Sequence, residues 1–458
     1  MRNTETNNND HLERRLTFLP LFFIIVADMI GSGIFTTSGF IMQDVRNPMA
    51  MLLCWLIGGL LALSGALCYG ELGAMFPSSG GDYVFLRESF GKRLAFLSGW
   101  ISLLVGFSAP IAAVAIAFGN YLKPALPGEL QHAQTPTILA ILIILIFTWV
   151  HAQGLSFGSR MHNLFTIGKI SIILLLIVGG LLWGNGSFEH FNVPLVASDV
   201  FSGNFATSLI FVSFAYTGWN ASVYLGNEIK NPGRNIPRSI IAATVFVIGA
   251  YLLLNITYIY ALEKSAMYGV EDIGLLASTQ LFGTKLGSFF GIAIAFCLLS
   301  SASSMIMLGP RVYYAMSKDK LFFKIFRGVN HKHHVPTYSI ILQASIAIIM
   351  VLTATFYTIL IYVGFILSIF ASLTVVGMML LRIQKPDLPR PYKTWGYPLT
   401  PILFIFSNIW IVVFSIKNNA SAFAWGVATI ATGLVFYEIF DRRSKNNELT
   451  EKISKQAR

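Results

Sequence analysis

The sequence predicts an all-α integral membrane protein with about 12 transmembrane helices, and three observations carry that prediction. The first is composition. Of 458 residues, 55% are hydrophobic and only 12% charged, with a mean hydropathy of +0.67, far from the balance of a soluble chain. The second is the length of the apolar runs. A helix needs about 20 apolar residues to cross a bilayer, and twelve stretches approach or exceed that: 18–41, 49–74, 94–122, 136–152, 164–184, 204–228, 238–262, 284–308, 338–354, 357–381, 399–416 and 421–440. The third is the placement of charge. With a cytoplasmic N-terminus, only Arg46, Lys123, Lys264, Lys285 and Lys417 fall on the outer side, and only Lys169 lies well inside a span. The rest of the 32 Lys and Arg are cytoplasmic, which is the positive-inside pattern. The net charge of +11 therefore reports topology. It does not indicate nucleic acid, because the basic residues are scattered over short loops rather than gathered on one face.

In chain order, residues 1–16 read as a disordered cytoplasmic tail rich in Asn and charge. No cleavable signal peptide is expected, since the first apolar run is too long for one. That run contains Ile30-Gly31-Ser32-Gly33-Ile34-Phe35. A glycine costs a helix about 0.8–1 kcal/mol relative to alanine. Unwound backbone at membrane depth is tolerated only where it is buried in protein or lines a cavity, and free N–H groups at a helix start bind anions. Ile30, Gly31, Ser32 and Gly33 are accordingly read as a helix break that binds a small anionic group. Close packing of another helix on the small residues is the alternative. After the second segment, Phe76-Pro77-Ser78-Ser79-Gly80-Gly81-Asp82-Tyr83 reads as a cytoplasmic loop, whereas the 186–202 loop, which has no Lys or Arg, suits the outer side.

Many secondary carriers are two inverted five-helix repeats with a broken helix in each. If segments 1–5 repeat as 6–10, segment 6 should be interrupted. It carries Phe214-Ala215-Tyr216-Thr217-Gly218-Trp219-Asn220, a mid-span glycine beside polar Thr217 and Asn220. The expected organisation is one membrane domain over 17–440, with repeats at 17–185 and 200–382 and two further helices over 397–440. A charged, flexible cytoplasmic tail follows over 441–458. Segments 9 and 10 are close enough together to be misdivided.

Ionisable residues inside spans are functional candidates by default. Lys169 could snorkel to the interface, or it could stand as a fixed cation beside the first break, donating to unwound carbonyls where another carrier holds sodium. Asp28, three residues before Gly31, needs a partner, and an Asp28–Lys169 pair is the expectation, with a hydroxyl or water cavity as the alternative. Glu71 and Glu228 are expected to pair with nearby Arg or Lys. Ser300, Ser301, Ser303 and Ser304 are expected to pack between helices. His331-Lys332-His333-His334 reads as a solvated loop rather than a metal site. Cys54, Cys68 and Cys297 all fall in spans, so no disulfide or thiol-metal site is implied. Catalytic motifs and a P-loop are missing, so neither an enzyme nor direct ATP-driven pumping is expected, and no cofactor or metal is called for.

Several motifs together resemble the APC superfamily, the amino acid–polyamine–organocation transporters, and within it the L-type amino acid exchangers and their bacterial relatives. They are Gly31-Ser32-Gly33-Ile34-Phe35; Tyr69-Gly70-Glu71-Leu72 with Pro77 and Gly80-Gly81-Asp82-Tyr83; Phe165-Thr166 with Lys169; Phe214-Ala215-Tyr216 with Gly218-Trp219-Asn220; Glu228 with Asn231-Pro232, Arg234-Asn235 and Pro237-Arg238; Arg311 with Met316; and Pro389-Arg390-Pro391-Tyr392. The resemblance implies the five-plus-five inverted-repeat fold with broken helices 1 and 6. It implies that the Gly31-Ser32-Gly33 backbone holds a substrate carboxylate and that carbonyls around Phe214, Ala215 and Thr217 take the α-amino group. It also implies that Phe214 sits at an aromatic gate and that Lys169 fills the sodium place of sodium-independent members. Two departures stand out. Asp28 occupies a position that is uncharged in the L-type relatives, and Thr217 stands where those relatives often have Gly or Asp. Asn220 is neutral where some proton-coupled relatives carry an acid, which favours neutral substrates.

The expected function is a sodium-independent permease or exchanger of neutral L-amino acids working by alternating access, with the side chain entering a pocket near Ser108. Lys169 and Asp28 are the expected coupling residues. Alternatives are a proton-coupled amino acid or polyamine symporter and a membrane amino-acid sensor. The expected partners are the amino acid, the lipid bilayer and, in a symporter, protons; the oligomeric state is open. The expected location is a cell membrane, a bacterial inner membrane, with both termini cytoplasmic.

Overall fold

The computed structural model describes residues 14–153, 155–328, 335–418 and 420–456. Among these the chain is helical throughout, with one isolated bridge between Leu16 and Ile229 as its sole β-type pairing. The longer helices are α1 (Phe18–Met29), α2 (Ser32–Val45), α3 (Pro48–Met75), α4 (Asp82–Phe90), α5 (Lys92–Ile101), α6 (Ala109–Leu122), α7 (Thr135–Ala152), α8 (Leu155–Trp183), α9 (Gly203–Ala215), α10 (Pro232–Ala261), α11 (Ile273–Leu308), α12 (Pro310–Lys318), α13 (Thr337–Thr353), α14 (Phe356–Gln384), α15 (Leu399–Asn418) and α16 (Ala420–Gln456). Among the described residues, nine helical runs are long and apolar enough to cross a membrane, and Gly203–Ala215, Thr337–Thr353 and Leu399–Phe414 are shorter apolar helices. Each overlaps an apolar stretch read from the sequence, but Gly203–Ala215 covers only the first half of 204–228, because the helix breaks after Ala215. The chain is an integral membrane protein.

Local chemistry sets the boundaries. Asn47 caps α3, its side-chain oxygen accepting from the Met49 and Ala50 N–H groups at 2.9 and 3.3 Å, with Pro48 in the first turn. Thr355 caps α14 by accepting from Thr358 N–H at 3.3 Å, so α13 and α14 are separate helices despite their closeness in sequence. Two expectations about the tails change. Leu16 is docked rather than loose, accepting from Lys230 N–H at 2.8 Å and donating to the Glu228 carbonyl at 2.9 Å. The charged C-terminal stretch continues α16 to Gln456, because its Glu, Lys and Gln residues are good helix formers. The His331–His334 cluster lies outside the described residues.

Two buried carboxylates pair as the sequence suggests. Glu71 is fully buried and holds Arg382 through two hydrogen bonds of 2.8 and 2.5 Å, and it accepts from the Thr394 N–H and Oγ1 at 2.7 and 2.8 Å. This fastens the 385–397 loop beneath α3. Arg311 reaches Glu228 at 2.9 Å. Removing one member of a buried pair strands the other charge and costs about 3–5 kcal/mol. Glu71→Ala is expected to lower the melting temperature of the purified protein far more than Glu438→Ala, whose partner Arg93 is 61% exposed and 3.7 Å away.

Candidate functional site

The first apolar run breaks where the two glycines weaken it. Ile30 leaves the helix at φ −78°, ψ 76°, and Gly31 is extended at φ −102°, ψ −151°. The break frees two sets of backbone groups. At the end of α1, carbonyls lose their helical partners, and at the start of α2 the first N–H groups have none, with no side chain capping them. The Ile30 and Gly31 N–H groups are already engaged, donating to Val26 and Met29 carbonyls at 3.0 and 2.8 Å. Ser32 and Gly33 are therefore the open donors of the predicted anion site. Ser32 Oγ is itself buried without a hydrogen-bond partner.

Lys169 takes up the freed carbonyls. Its ammonium, fully buried, donates to Ala27 O at 3.0 Å, to Ile30 O, and to Ser301 Oγ at 2.7 Å. Ser301 in turn donates to Ile30 O at 2.8 Å. Lys169 thus does not snorkel. The expected Asp28–Lys169 ion pair is absent among the described residues, because three oxygens already satisfy the ammonium. The Asp28 carboxylate turns instead to the second break. Its Oδ2 lies 2.7 Å from where a Cβ on Gly218 would sit, and the Ser304 hydroxyl and the Lys169 charge act on the same carboxylate.

The second break begins after Ala215, turns through Gly218 at φ +96°, and resumes as a tight helical turn over Ala221–Glu228. It faces the first. A Cβ on Gly33 would meet Ala215 Cα at 2.5 Å, so glycine is what lets the two backbones touch. Tyr251 on α10 ties them together, its hydroxyl lying 2.6 Å from Met29 O and 3.0 Å from Ala215 O. The Phe214 carbonyl accepts from Thr217 N–H and Oγ1 at 3.0 and 2.7 Å. Phe214 and Ala215 are buried beside the break.

A cavity of about 120 Å³ opens one turn from this junction. Its lining takes in Asp28, Thr217, Gly218 and Asn220, but not Ile30, Gly31, Ser32, Gly33, Phe214 or Ala215. The contact of Gly33 with Ala215 closes the space between the two breaks. Ser108 is likewise absent from the lining: it is fully buried and donates to Gln343 O at 3.3 Å, a packing role. Its neighbours Ser102, Gly106 and Phe107 do line the cavity, on a widened π-helical turn over Ser102–Ser108.

Asp82 is the residue that sequence reasoning missed. Assigned to a loop, it begins α4 and lines the cavity. Its Oδ1 accepts from Tyr69 OH and from Thr374 Oγ1 at 3.1 Å, and its Oδ2 from Tyr224 OH at 2.9 Å and Asn220 Nδ2 at 3.4 Å. Burial raises its pKa above the ordinary carboxylate value, and the three hydroxyls oppose that rise. The signal was present in Gly80-Gly81-Asp82, whose glycines adopt φ +132° and +54° and swing the carboxylate inward.

Similarity to known proteins bears on this arrangement. Residues 16–437 match the model of a family described as amino acid permease. The chain is 28% identical over 437 residues to large neutral amino acids transporter small subunit 2 of Mus musculus, covering 93% of this chain and 81% of that protein. It is 29% identical over 435 residues to b(0,+)-type amino acid transporter 1 of Mus musculus (94% and 88%), and 27% identical over 460 residues to Asc-type amino acid transporter 1 of Homo sapiens (97% and 86%).

Proposed function

The chain belongs to the amino acid permease family, and on that footing we propose that it is a sodium-independent carrier of neutral L-amino acids working by alternating access. The substrate carboxylate meets the open N–H groups of Ser32 and Gly33 at the positive end of α2. The α-ammonium meets the Phe214, Ala215 and Thr217 carbonyls, at Phe214 taking the place of the Thr217 hydroxyl that now donates there. Phe214 closes over it. Residues 17–185 and 200–382 act as inverted repeats, and the junction of their breaks is where rocking of one bundle against the other is felt. Substrate drives that motion only by binding the two states unequally. Lys169 and Asp28 flank the first break and couple its geometry to occupancy. The basic residues at both ends of the chain support cytoplasmic termini.

One observation carries the sodium-independent reading: the Lys169 ammonium sits on the Ala27 and Ile30 carbonyls and on Ser301 Oγ. An alkali cation would seek those same oxygens. Counterflow of labelled amino acids in proteoliposomes tests it. Replacing sodium by choline on both sides is expected to leave the rate within about twofold, whereas a fall of about tenfold, equivalent to about 1.4 kcal/mol, would overturn the assignment.

A further inference from the structure

The start of α10 and the loop joining α14 to α15 meet at one end of the molecule. A Cβ on Gly233 would lie 2.9 Å from Pro391 Cβ, and one on Gly70 would lie 3.2 Å from Tyr392 and 3.3 Å from Pro237. The loop is wound about its own arginines. Arg390 donates to the Leu381, Lys385, Pro386 and Leu388 carbonyls, and Arg382 lies 3.8 Å over the Tyr397 ring. Both reach the buried Glu71 carboxylate, so their charge is met inside the protein. What faces outward is different. Lys230, Arg234, Arg238, Lys385 and Lys393 are exposed, and among the described residues none of them makes an ion pair. Asp387 is the one acid in 229–240 and 383–399. Large apolar side chains stand in the same loop and at its ends: Ile383 is 73% exposed, Trp395 65% and Leu399 72%. Ile383 is in the last turn of α14, which is long enough to span, and Leu399 opens the apolar helix α15. The loop therefore leaves and re-enters the bilayer at the headgroup layer, where tryptophan is favoured and basic side chains meet lipid phosphates.

From this arrangement we propose that the patch binds an anionic phospholipid of the adjoining leaflet: its acidic headgroup lies among Arg234, Arg238, Lys385 and Lys393, and its chains cover Ile383, Trp395 and Leu399. The inference stands apart from the carrier reading and needs only that the chain spans a membrane. Complementarity selects this occupant. A neutral lipid would cover the apolar side chains but leave the cations without counter-charge. A free phosphate would meet the cations but leave Ile383, Trp395 and Leu399 uncovered. Arg234 and Arg238 stand one turn apart on α10 and so share a face, and the contact of Gly233 with Pro391 sets that turn against the lysine-bearing loop. Because Glu71 fastens the same loop beneath α3, the bound lipid rests on a fixed surface rather than on loose side chains.

Trp395 reports on its own lipid shell. The purified full-length protein is placed in phosphatidylcholine vesicles with brominated phosphatidylglycerol or brominated phosphatidylcholine as the quencher. The difference between wild type and Trp395→Phe isolates this residue from the other tryptophans. The relative binding constant at Trp395 is expected to favour phosphatidylglycerol about fivefold or more, the worth of about one basic side chain at an anionic surface. Glutamine at Arg234, Arg238, Lys385 and Lys393 together should remove that preference, and exchanging lysine for arginine and arginine for lysine at the same four positions should keep it. Equal quenching of the wild-type protein by the two lipids would overturn the proposal, whether or not the glutamine variant folds. A preference that survives all four glutamines would place the anionic lipid elsewhere and reject the patch. Inorganic phosphate at constant ionic strength should leave the wild-type preference unchanged; its loss would mean a site for the free anion and reject the lipid.

Discussion

Lys169→Met is expected to abolish transport while leaving the protein able to insert. Methionine fills nearly the same volume but donates nothing. The carbonyls of Ala27 and Ile30 then lose their buried donor. The Ser301 hydroxyl reaches both oxygens but has one proton and can serve only one, so one buried acceptor is left unsatisfied, which destabilises the present form of the break by about 1–3 kcal/mol. Against a two-state equilibrium, about 3 kcal/mol changes populations more than a hundredfold. Counterflow in proteoliposomes is the measurement, with the melting temperature of the detergent-solubilised protein beside it. A variant that melts lower and transports at about 1% of the wild-type rate or less fits the argument. A variant with wild-type counterflow would show that Lys169 does not hold the break. Lys169→Arg is a useful companion. Its planar guanidinium cannot place three donors tetrahedrally on Ala27, Ile30 and Ser301, so it too should fail even though it keeps the charge.

The difference between Lys169 and Asp28 shows what a sequence reveals about such a site. That Lys169 was a cation in a span, and that Gly31 and Gly218 marked interruptions, followed from one-dimensional features: an apolar run, a charge inside it, a glycine where a helix needs none. Which oxygen each charge would meet did not. The Lys169 partners are backbone carbonyls, present in every residue and invisible as a motif until the helix unwinds. Pairing Asp28 with Lys169 was natural while side chains were the only partners in view. Glu71 and Glu228 were easier, because arginines gather at helix ends, and Arg382 and Arg311 stand at the ends of α14 and α12. Asp82 was harder for the opposite reason. Its sequence neighbours are turn residues, yet Gly80 and Gly81 reverse the chain and place it among Tyr69, Tyr224 and Thr374, drawn from three distant segments. The widened turn at Ser102–Ser108 left no local trace, since Ser-Leu-Leu-Val-Gly-Phe-Ser reads as ordinary helix.

Gly218→Ala is expected to be among the most damaging single methyl additions in the chain, and two independent effects add there. The backbone at Gly218 has φ +96°, a region that costs a residue with a Cβ about 1–3 kcal/mol. The new methyl would also lie 2.7 Å from Asp28 Oδ2 and 2.8 Å from the Asp28 carbonyl carbon. The carboxylate could swing aside, but the carbonyl carbon belongs to α1 and can move only with the helix. Overpacking of that kind costs about 1–3 kcal/mol more. The expected result is a protein that melts several degrees lower and in which the two breaks are pushed apart. Gly249→Ala is the control: it lies within α10, where an added Cβ meets nothing within 4 Å, so it should be neutral or stabilising by up to about 1 kcal/mol through helix propensity alone. Gly31→Ala separates sterics from position. Its Cβ would make only ordinary contacts, 3.7 Å from Val114 Cγ2 and 3.9 Å from Ser301 Oγ, so its melting temperature should stay near that of the wild type despite its place in the break. If Gly218→Ala instead melts with Gly249→Ala, the second break tolerates a side chain and its contact with Asp28 is loose.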